Sequence, residues 1–230
     1  MGTTPADLAI IAETTSYVMA DEGDTAWSTA RGVFACIEHA AARLGSDVGD
    51  LHVAIQGVGK VGMSLAEQLH AVGARLTVAD TDERATERAG AVLGAGVVSP
   101  NVIHRVEADV FAPCAMGGVL HAGTISELSC RIVAGSANNP LADEVADARR
   151  LEDHGIVYVP DIVASMGGVL AAAQGSNEDG SQHDPRAHIH SVLDRLAEVV
   201  EPSRQEAAVA LAQQRIDERR ELRQAFLAAS

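Results

Sequence analysis

Residues 55–62 read Ile-Gln-Gly-Val-Gly-Lys-Val-Gly, and Gly57, Gly59 and Gly62 stand at the GxGxxG spacing of a dinucleotide loop. The first glycine permits a tight turn, the second lets a pyrophosphate approach the backbone, and the third lets helix and strand pack closely. A helix opening near Lys60 and Val61 turns its unpaired amides and positive dipole end toward the phosphates. Lys60 is the only lysine in the chain, placed either to add charge near the pyrophosphate or simply to be solvated. Asp80 closes the next apolar run, 75–80, where a carboxylate accepts hydrogen bonds from the adenosine ribose hydroxyls. The same charge repels a 2'-phosphate, so the expected cofactor is NAD (NADH) and not NADP.

Other groups are candidates for acid, base or ligand. Asp161 follows the apolar run 156–160, at the strand end where open α/β sheets place their ligands; its other reading is a helix N-cap. Cys36, Cys114 and Cys130 are odd in number and form no CxxC pair, so they read as small buried hydrophobes and not as a zinc site or disulfide framework. His121 follows a Gly-Gly turn and has the pKa range of a proton carrier. His183, His188 and His190 cluster after a polar stretch, but i and i+2 do not share a helix face, and no metal is expected.

These residues need a scaffold, and the pattern supplies one. From Leu51 onward, short apolar runs (51–56, 75–80, 97–100, 110–113, 131–136 and 156–160) alternate with amphipathic stretches such as 60–72 and 83–93. Continuous apolar runs mark strands buried on both faces, which predicts a doubly wound α/β domain with a parallel sheet. Ahead of it, Thr4-Pro5-Ala6-Asp7 reads as a helix start. After the turn-rich 21–28, Ser28 or Thr29 starts a second helix that runs through Arg43 and is ended by Gly45. The expected organisation is linking helices over 1–46, the nucleotide domain over 47–173, a polar loop over 174–186, and helices over 187–230 (about 187–200 and 203–228) packing on the same unit.

Composition narrows the function classes. The 230 residues carry 32 acidic against 17 basic side chains, a formal charge of -15, which repels nucleic acid and anionic membranes. Aromatics make up 3%, so the core must be aliphatic. No basic leader and no apolar run of membrane-spanning length is present, and a cytoplasmic protein is expected.

Three further stretches, 111–118 (FAPCAMGG), 134–141 (AGSANNPL) and 155–170 (GIVYVPDIVASMGGVL), together with 23–34 (GDTAWSTARGVF), go beyond a generic glycine loop. In that order the chain resembles the Glu/Leu/Phe/Val amino-acid dehydrogenase family, above all its leucine and phenylalanine dehydrogenase branch. The resemblance implies a C-terminal Rossmann-type NAD-binding domain with flanking helices. It implies that Pro113, Cys114 and Ala115 line the cofactor cleft, that Thr29 and Asn138 lie at the nicotinamide end, and that Asn139, Met166, Gly167 and Val169 border the substrate pocket. It also implies an N-terminal catalytic domain that supplies two lysines, for which this chain offers no counterpart. Where the family reads Asn-Ala-Gly-Gly, this chain has Ser165-Met166-Gly167-Gly168.

Three functions remain open on this reading. One is a truncated, self-sufficient NAD-dependent oxidoreductase, such as an imine reductase, passing hydride to or from a C=N or C=O of a small-molecule substrate. Asp161, Asn138 and Ser165 are its candidate catalytic groups. Another is the nucleotide-binding subunit of a split amino-acid dehydrogenase, with a separate catalytic-domain chain as partner. The last is a non-catalytic NAD-binding sensor or scaffold. A homodimer is expected to cover the apolar face left by the helices.

Overall fold

The computed structural model describes residues 7, 10, 11, 13–15, 25–174, 184–197 and 204–228, without the side chains of 173–174 and 222–228. Its centre is a six-stranded, wholly parallel sheet in the order β3-β2-β1-β4-β5-β6. The strands are β1 His52–Gln56, β2 Arg75–Ala79, β3 Gly96–Val97, β4 Val110–Pro113, β5 Ile132–Val133 and β6 Val157–Tyr158. Strand order reverses between β1 and β4, which opens a crevice at their carboxyl ends.

The helices are α1 Thr25–Arg43, α2 Lys60–Ala71, α3 Glu83–Leu93, α4 Ala122–Ile125, α5 Glu144–Asp153, α6 Asp161–Ala164, α7 Met166–Gln174, α8 Arg186–Ala197 and α9 Arg204–Ala228. The strands are apolar on both sides because both faces are covered. Val53 and Ile55 of β1 join the core under α1, α2 and α8, while Ala54 joins Phe111, Val133, Tyr158 and Leu151 on the other face. Period-two alternation thus distributes one strand between two cores.

Several element boundaries differ from the sequence expectation; of the runs 131–136 and 156–160 only Ile132–Val133 and Val157–Tyr158 are strand. α1 begins at Thr25, not at Ser28 or Thr29, because this extra turn packs against α7: Ala26 and Ser28 are buried and Thr29 Oγ1 donates to the Thr25 carbonyl at 2.8 Å. The strand expected over 97–100 is only Gly96–Val97, an exposed edge that stops before Pro100, which has no N–H to give a ladder. Of the helix expected from Thr4, the described residues Asp7, Ile10 and Ile11 are helical; most of the polar loop lies outside the described residues.

α1 and α7 cross at glycine. A Cβ on Gly167 would stand 2.1 Å from the Ser28 carbonyl, one on Gly168 2.3 Å from Thr29 Oγ1, and one on Gly32 3.0 Å from Gly167 N. The two helix backbones therefore approach to a distance that no side chain permits.

The C-terminal helices attach at separate places. α8 buries Ile189, Val192, Leu193 and Leu196 against α1, flanked by His39–Asp194 at 2.8 Å and Arg31–Asp184 at 3.2 Å. α9 buries Gln205, Ala207 and Ala208 beside α5, where Arg149 meets Glu206 at 3.3 Å; residues 212–221 are exposed.

Candidate functional site

The glycine loop joins the carboxyl end of β1 to α2. Gly57 turns at φ 93, and its N–H donates to the Ala79 carbonyl at 2.7 Å. A Cβ at Gly62 would lie 1.9 Å from the Gly57 carbonyl, so the third glycine lets α2 seat against the turn. At Gly59, the N-cap of α2, an added Cβ meets nothing within 4 Å. That space lies in front of amides which a helix leaves unpaired: the Met63 N–H, at 2.9 Å from the Gly59 carbonyl, is where bonding back begins. Lys60 is exposed on this turn, and Val61 packs partly against the core.

Asp80 stands beside the loop. Its Oδ2 accepts from the Val58 N–H at 2.7 Å and its Oδ1 from Asp82 N–H at 3.0 Å. The carboxylate thus ties the glycine loop to the end of β2; Oδ1 also accepts from Thr81 Oγ1 at 3.5 Å, and Oδ2 retains a lone pair for a ribose hydroxyl.

The facing wall is a zipped pair of loops. Cys114 N–H donates to the Gln56 carbonyl at 2.7 Å, Ala137 N–H to the Pro113 carbonyl at 2.9 Å, and Gly118 N–H to the Asn139 carbonyl at 2.8 Å. A Cβ on Gly57 would touch Ala115 at 2.8 Å, and one on Gly62 would come within 3.3 Å of Cys114. The structure therefore brings Gly57, Gly62, Pro113, Cys114 and Ala115 together, with exposed Asn138 continuing the wall.

Asn139 has φ 49, the one positive value outside glycine among the described residues, a conformation that asparagine tolerates. What holds it is Asp161. The Asp161 carboxylate, 8% exposed, accepts from Asn139 N–H at 2.7 Å through Oδ2 and from Ile162 N–H at 3.0 Å through Oδ1. Pro160, not Asp161, is the N-cap of α6; the carboxylate sits one residue inside the helix and reaches across to the loop. Ser165 Oγ donates to the Asp161 carbonyl at 2.5 Å. Asp161, Asn139 and Ser165 are thus one connected group.

The remaining candidates scatter. Gly167 is at the helix crossing, Met166 packs partly against the core, and Val169 is 60% exposed. Thr29 sits against Gly168, its hydroxyl bonded within α1. His121 caps α4, its Nδ1 accepting from Gly123 N–H at 3.2 Å, which commits the imidazole to the backbone. His188 is exposed, His190 faces the Ala35 carbonyl at 3.1 Å, and His183 lies outside the described residues.

Burial decides the thiols. It pushes the Cys130 thiol up to about 12 and raises Cys36 and Cys114 as well, in Cys114 against the partial offset of a Ser136 hydrogen bond. A thiol so protonated is no nucleophile. Burial also raises the Tyr158 phenol, reinforced by the Asp161 carboxylate and, more weakly, by Glu144, against the opposing effect of a hydrogen bond with the Asp161 backbone.

Sequence reasoning missed two parts of this arrangement. Gly135 presses on β4, where its Cβ would fall 2.1 Å from the Pro113 carbonyl, and Gly117 lies under the Asn138 and Asn139 carbonyls, both 2.6 Å from its would-be Cβ. Both glycines belong to stretches that stood out in the sequence, so glycine density was the available signal. Gln56, whose buried Oε1 has no partner at the mouth of the loop, carried none.

A model of the Glutamate/Leucine/Phenylalanine/Valine dehydrogenase family matches residues 23–91 and 77–182. Leucine dehydrogenase of Thermoactinomyces intermedius is 36% identical over 244 residues, covering 99% of this chain and 65% of that protein. Phenylalanine dehydrogenase of Lysinibacillus sphaericus is 38% identical over 189 residues, covering 75% and 49%. The crystal structure of L-tryptophan dehydrogenase from Nostoc punctiforme superposes with a TM-score of 0.78 at 34% identity, over 96% of this chain and 66% of that one. The hetero-hexameric glutamate dehydrogenase of Thermus thermophilus, in its leucine-bound form, gives 0.68 at 26% identity, over 88% and 54%. The chain thus spans about 65% of the length of the leucine dehydrogenase it matches.

Proposed function

The chain belongs to the Glutamate/Leucine/Phenylalanine/Valine dehydrogenase family, and from that premise we propose that it is an NAD-dependent oxidoreductase of the amino-acid dehydrogenase type. Its substrate is a small molecule with a C=N or C=O carbon, or the corresponding amine or alcohol. The observation that carries this reading is the place of Gly59 at the N-cap of α2, with no neighbour within 4 Å of a Cβ there, in the turn whose Val58 N–H is held by the Asp80 carboxylate.

Each group fits a dinucleotide. The α2 amides, from Gly59 onward, hold the diphosphate, with Lys60 adding charge from the same turn. Asp80 accepts from the ribose hydroxyls while its bond to Val58 N–H keeps the loop in register. Pro113, Cys114 and Ala115 form the cleft wall, and Thr29 and Asn138 mark its nicotinamide end. When bound, the nicotinamide supplies or accepts the hydride; the chain orients it and keeps water from one face. With both oxygens engaged by backbone N–H groups, Asp161 is a positioning residue that fixes the Asn138–Asn139 loop. Ser165 braces α6 through its bond to the Asp161 carbonyl, and Met166 and Val169 border the substrate side. A homodimer shields the exposed face.

A second reading is favoured by two observations: Lys60 is the only lysine, and Trp27, Met116 and Val169 are 42%, 67% and 60% exposed. The chain is then the nucleotide-binding subunit of a dehydrogenase whose catalytic lysines come from a partner that covers these residues.

Titration with NADH and NADPH, read by nicotinamide fluorescence, followed by turnover with 2-oxo acids plus ammonia and with cyclic imines, tests both. Tight NADH binding with turnover is the result expected of the first reading. Binding without turnover, restored by a lysine-bearing catalytic domain, selects the second, and absence of NADH binding overturns both.

A further inference from the structure

A cavity of about 230 Å³ lies at the edge of the sheet, between the end of α1, the end of α8, the strand β6 and the start of α9. β6 is separated from the glycine-loop strand β1 by β4 and β5, and none of the residues assigned to the nucleotide cleft borders this space. Val159, Leu193 and Leu196 belong to its apolar wall.

The charge around it runs against that of the chain. The sequence carries 32 acidic and 17 basic residues, yet the cavity is bordered by His39, Arg43 and Arg204 and by no Asp or Glu. Among the described residues neither arginine forms an ion pair. The nearby acids are committed. Asp194 Oδ1 lies 2.8 Å from His39 Nε2, with the Arg43 charge also acting on it, and Glu152 Oε1 accepts from the Arg204 N–H at 3.0 Å. Arg43 is exposed and Arg204 half-buried, so both side chains are open to a ligand at the rim.

Two unpaired guanidinium groups beside an aliphatic wall call for a ligand with the complementary parts. A guanidinium only donates hydrogen bonds, and its planar fork matches a carboxylate. Inorganic phosphate answers the arginines but leaves the apolar wall uncovered, where a short hydrocarbon chain gains from leaving water. A free amino acid brings an ammonium group that the arginines repel. Volume sets the size: an apolar cavity of about 150 Å³ accepts benzene, so about 230 Å³ holds a branched chain of roughly five or six carbons.

We propose that this cavity binds a small aliphatic monocarboxylate without an α-ammonium group, its carboxylate held between Arg43 and Arg204 and its chain lying on Val159, Leu193 and Leu196. The site is separate from the nucleotide cleft and does not rest on the redox reading. A ligand there touches α1, α8, α9 and the sheet edge at once, so it binds the folded chain alone and raises the melting temperature.

Calorimetric titration of the full chain, without nucleotide, with sodium 4-methylpentanoate tests the site. Four controls divide the ligand into its parts: acetate has the charge without the chain, 4-methylpentan-1-ol the chain without the charge, leucine the added ammonium, and inorganic phosphate the charge alone. Saturable binding of 4-methylpentanoate, roughly tenfold tighter than any control, is the expected result. Arg43→Gln and Arg204→Gln should each weaken it by about tenfold, the loss of one charge-assisted hydrogen bond. Neither side chain is buried, so both variants keep the fold. A carboxylate seated in the redox cleft would be untouched by either substitution. No saturable binding, a control bound as tightly, or unchanged affinity in either variant overturns the proposal. NADH titration of the same variants, expected to match the parent, reads the other site independently.

Discussion

The chain has two glycine clusters that look alike on paper and differ in what surrounds them. Gly57, Gly59 and Gly62 form a turn in which the first and third are pressed against backbone or Ala115, while the middle one opens onto empty space. Gly32, Gly167 and Gly168 have no such opening: each would-be Cβ runs into the opposite helix within 3.0 Å. Gly45, Gly94, Gly118 and Gly155 are as open; what distinguishes Gly59 is that its open space stands at the N-cap of α2, in the turn held by Asp80. A packing glycine leaves no such room.

That comparison is open to direct attack. Gly167→Ala drives a Cβ to 2.1 Å from the Ser28 carbonyl, a backbone atom that cannot swing away. The expected loss is about 3 kcal/mol or more, a Tm lower by roughly 6–12 °C for a chain of this size. A melt within a degree or two of the parent would mean that the crossing has slack. Gly59→Ala is expected to do the opposite: its φ of -66 suits any residue, so the Tm holds, while NADH affinity falls about tenfold or more as the methyl enters the diphosphate's space. Equal NADH affinity in that variant would place the nucleotide elsewhere.

Smaller effects refine the picture. Asp80→Ser removes the charge opposed to a 2'-phosphate and the acceptor for Val58 N–H. Comparative titration should show the preference for NADH over NADPH narrowing, with a stability loss of about 1 kcal/mol from the hydrogen bond. The smallest change is expected at the far end of β1, away from both clusters. His52 is buried, with Nδ1 at 2.9 Å from the Glu107 carbonyl and Nε2 at 2.8 Å from Thr77 Oγ1. Burial, with Arg75 nearby, lowers its pKa below 6.5 against the opposing pull of Glu107 and Asp109. Its neutral form therefore stabilises the fold fully above about pH 6.5, and that stability is lost as pH falls from there toward the lowered folded value. Melts between pH 7.5 and 5.5 should show a shallower decline in His52→Gln; an unchanged slope would remove His52 from the account.

The glycine-loop half of the fold was legible in the sequence because its requirements are local. A GxGxxG turn, the strand before it, the helix after it and an acid at the end of the next strand all follow one another along the chain, and apolar runs on doubly buried strands announce a parallel sheet. The other half was legible only as motifs. Asp161 read as an acid–base group or a cap; its carboxylate instead reaches from α6 to Asn139, a partner 22 residues away. Gly167 read as part of a substrate pocket, and it lies where α7 crosses α1.

What the sequence determined by itself was the sheet, the glycine loop and Asp80, since backbone conformation and strand burial are written in neighbouring residues. Only the tertiary structure decided which glycines face open space, which carboxylate orders which loop, and that His39, Arg43 and Arg204 meet around one cavity. Those outcomes depend on the close packing of segments far apart in the chain, where a separation of one or two ångströms decides between a contact, a clash and a vacancy.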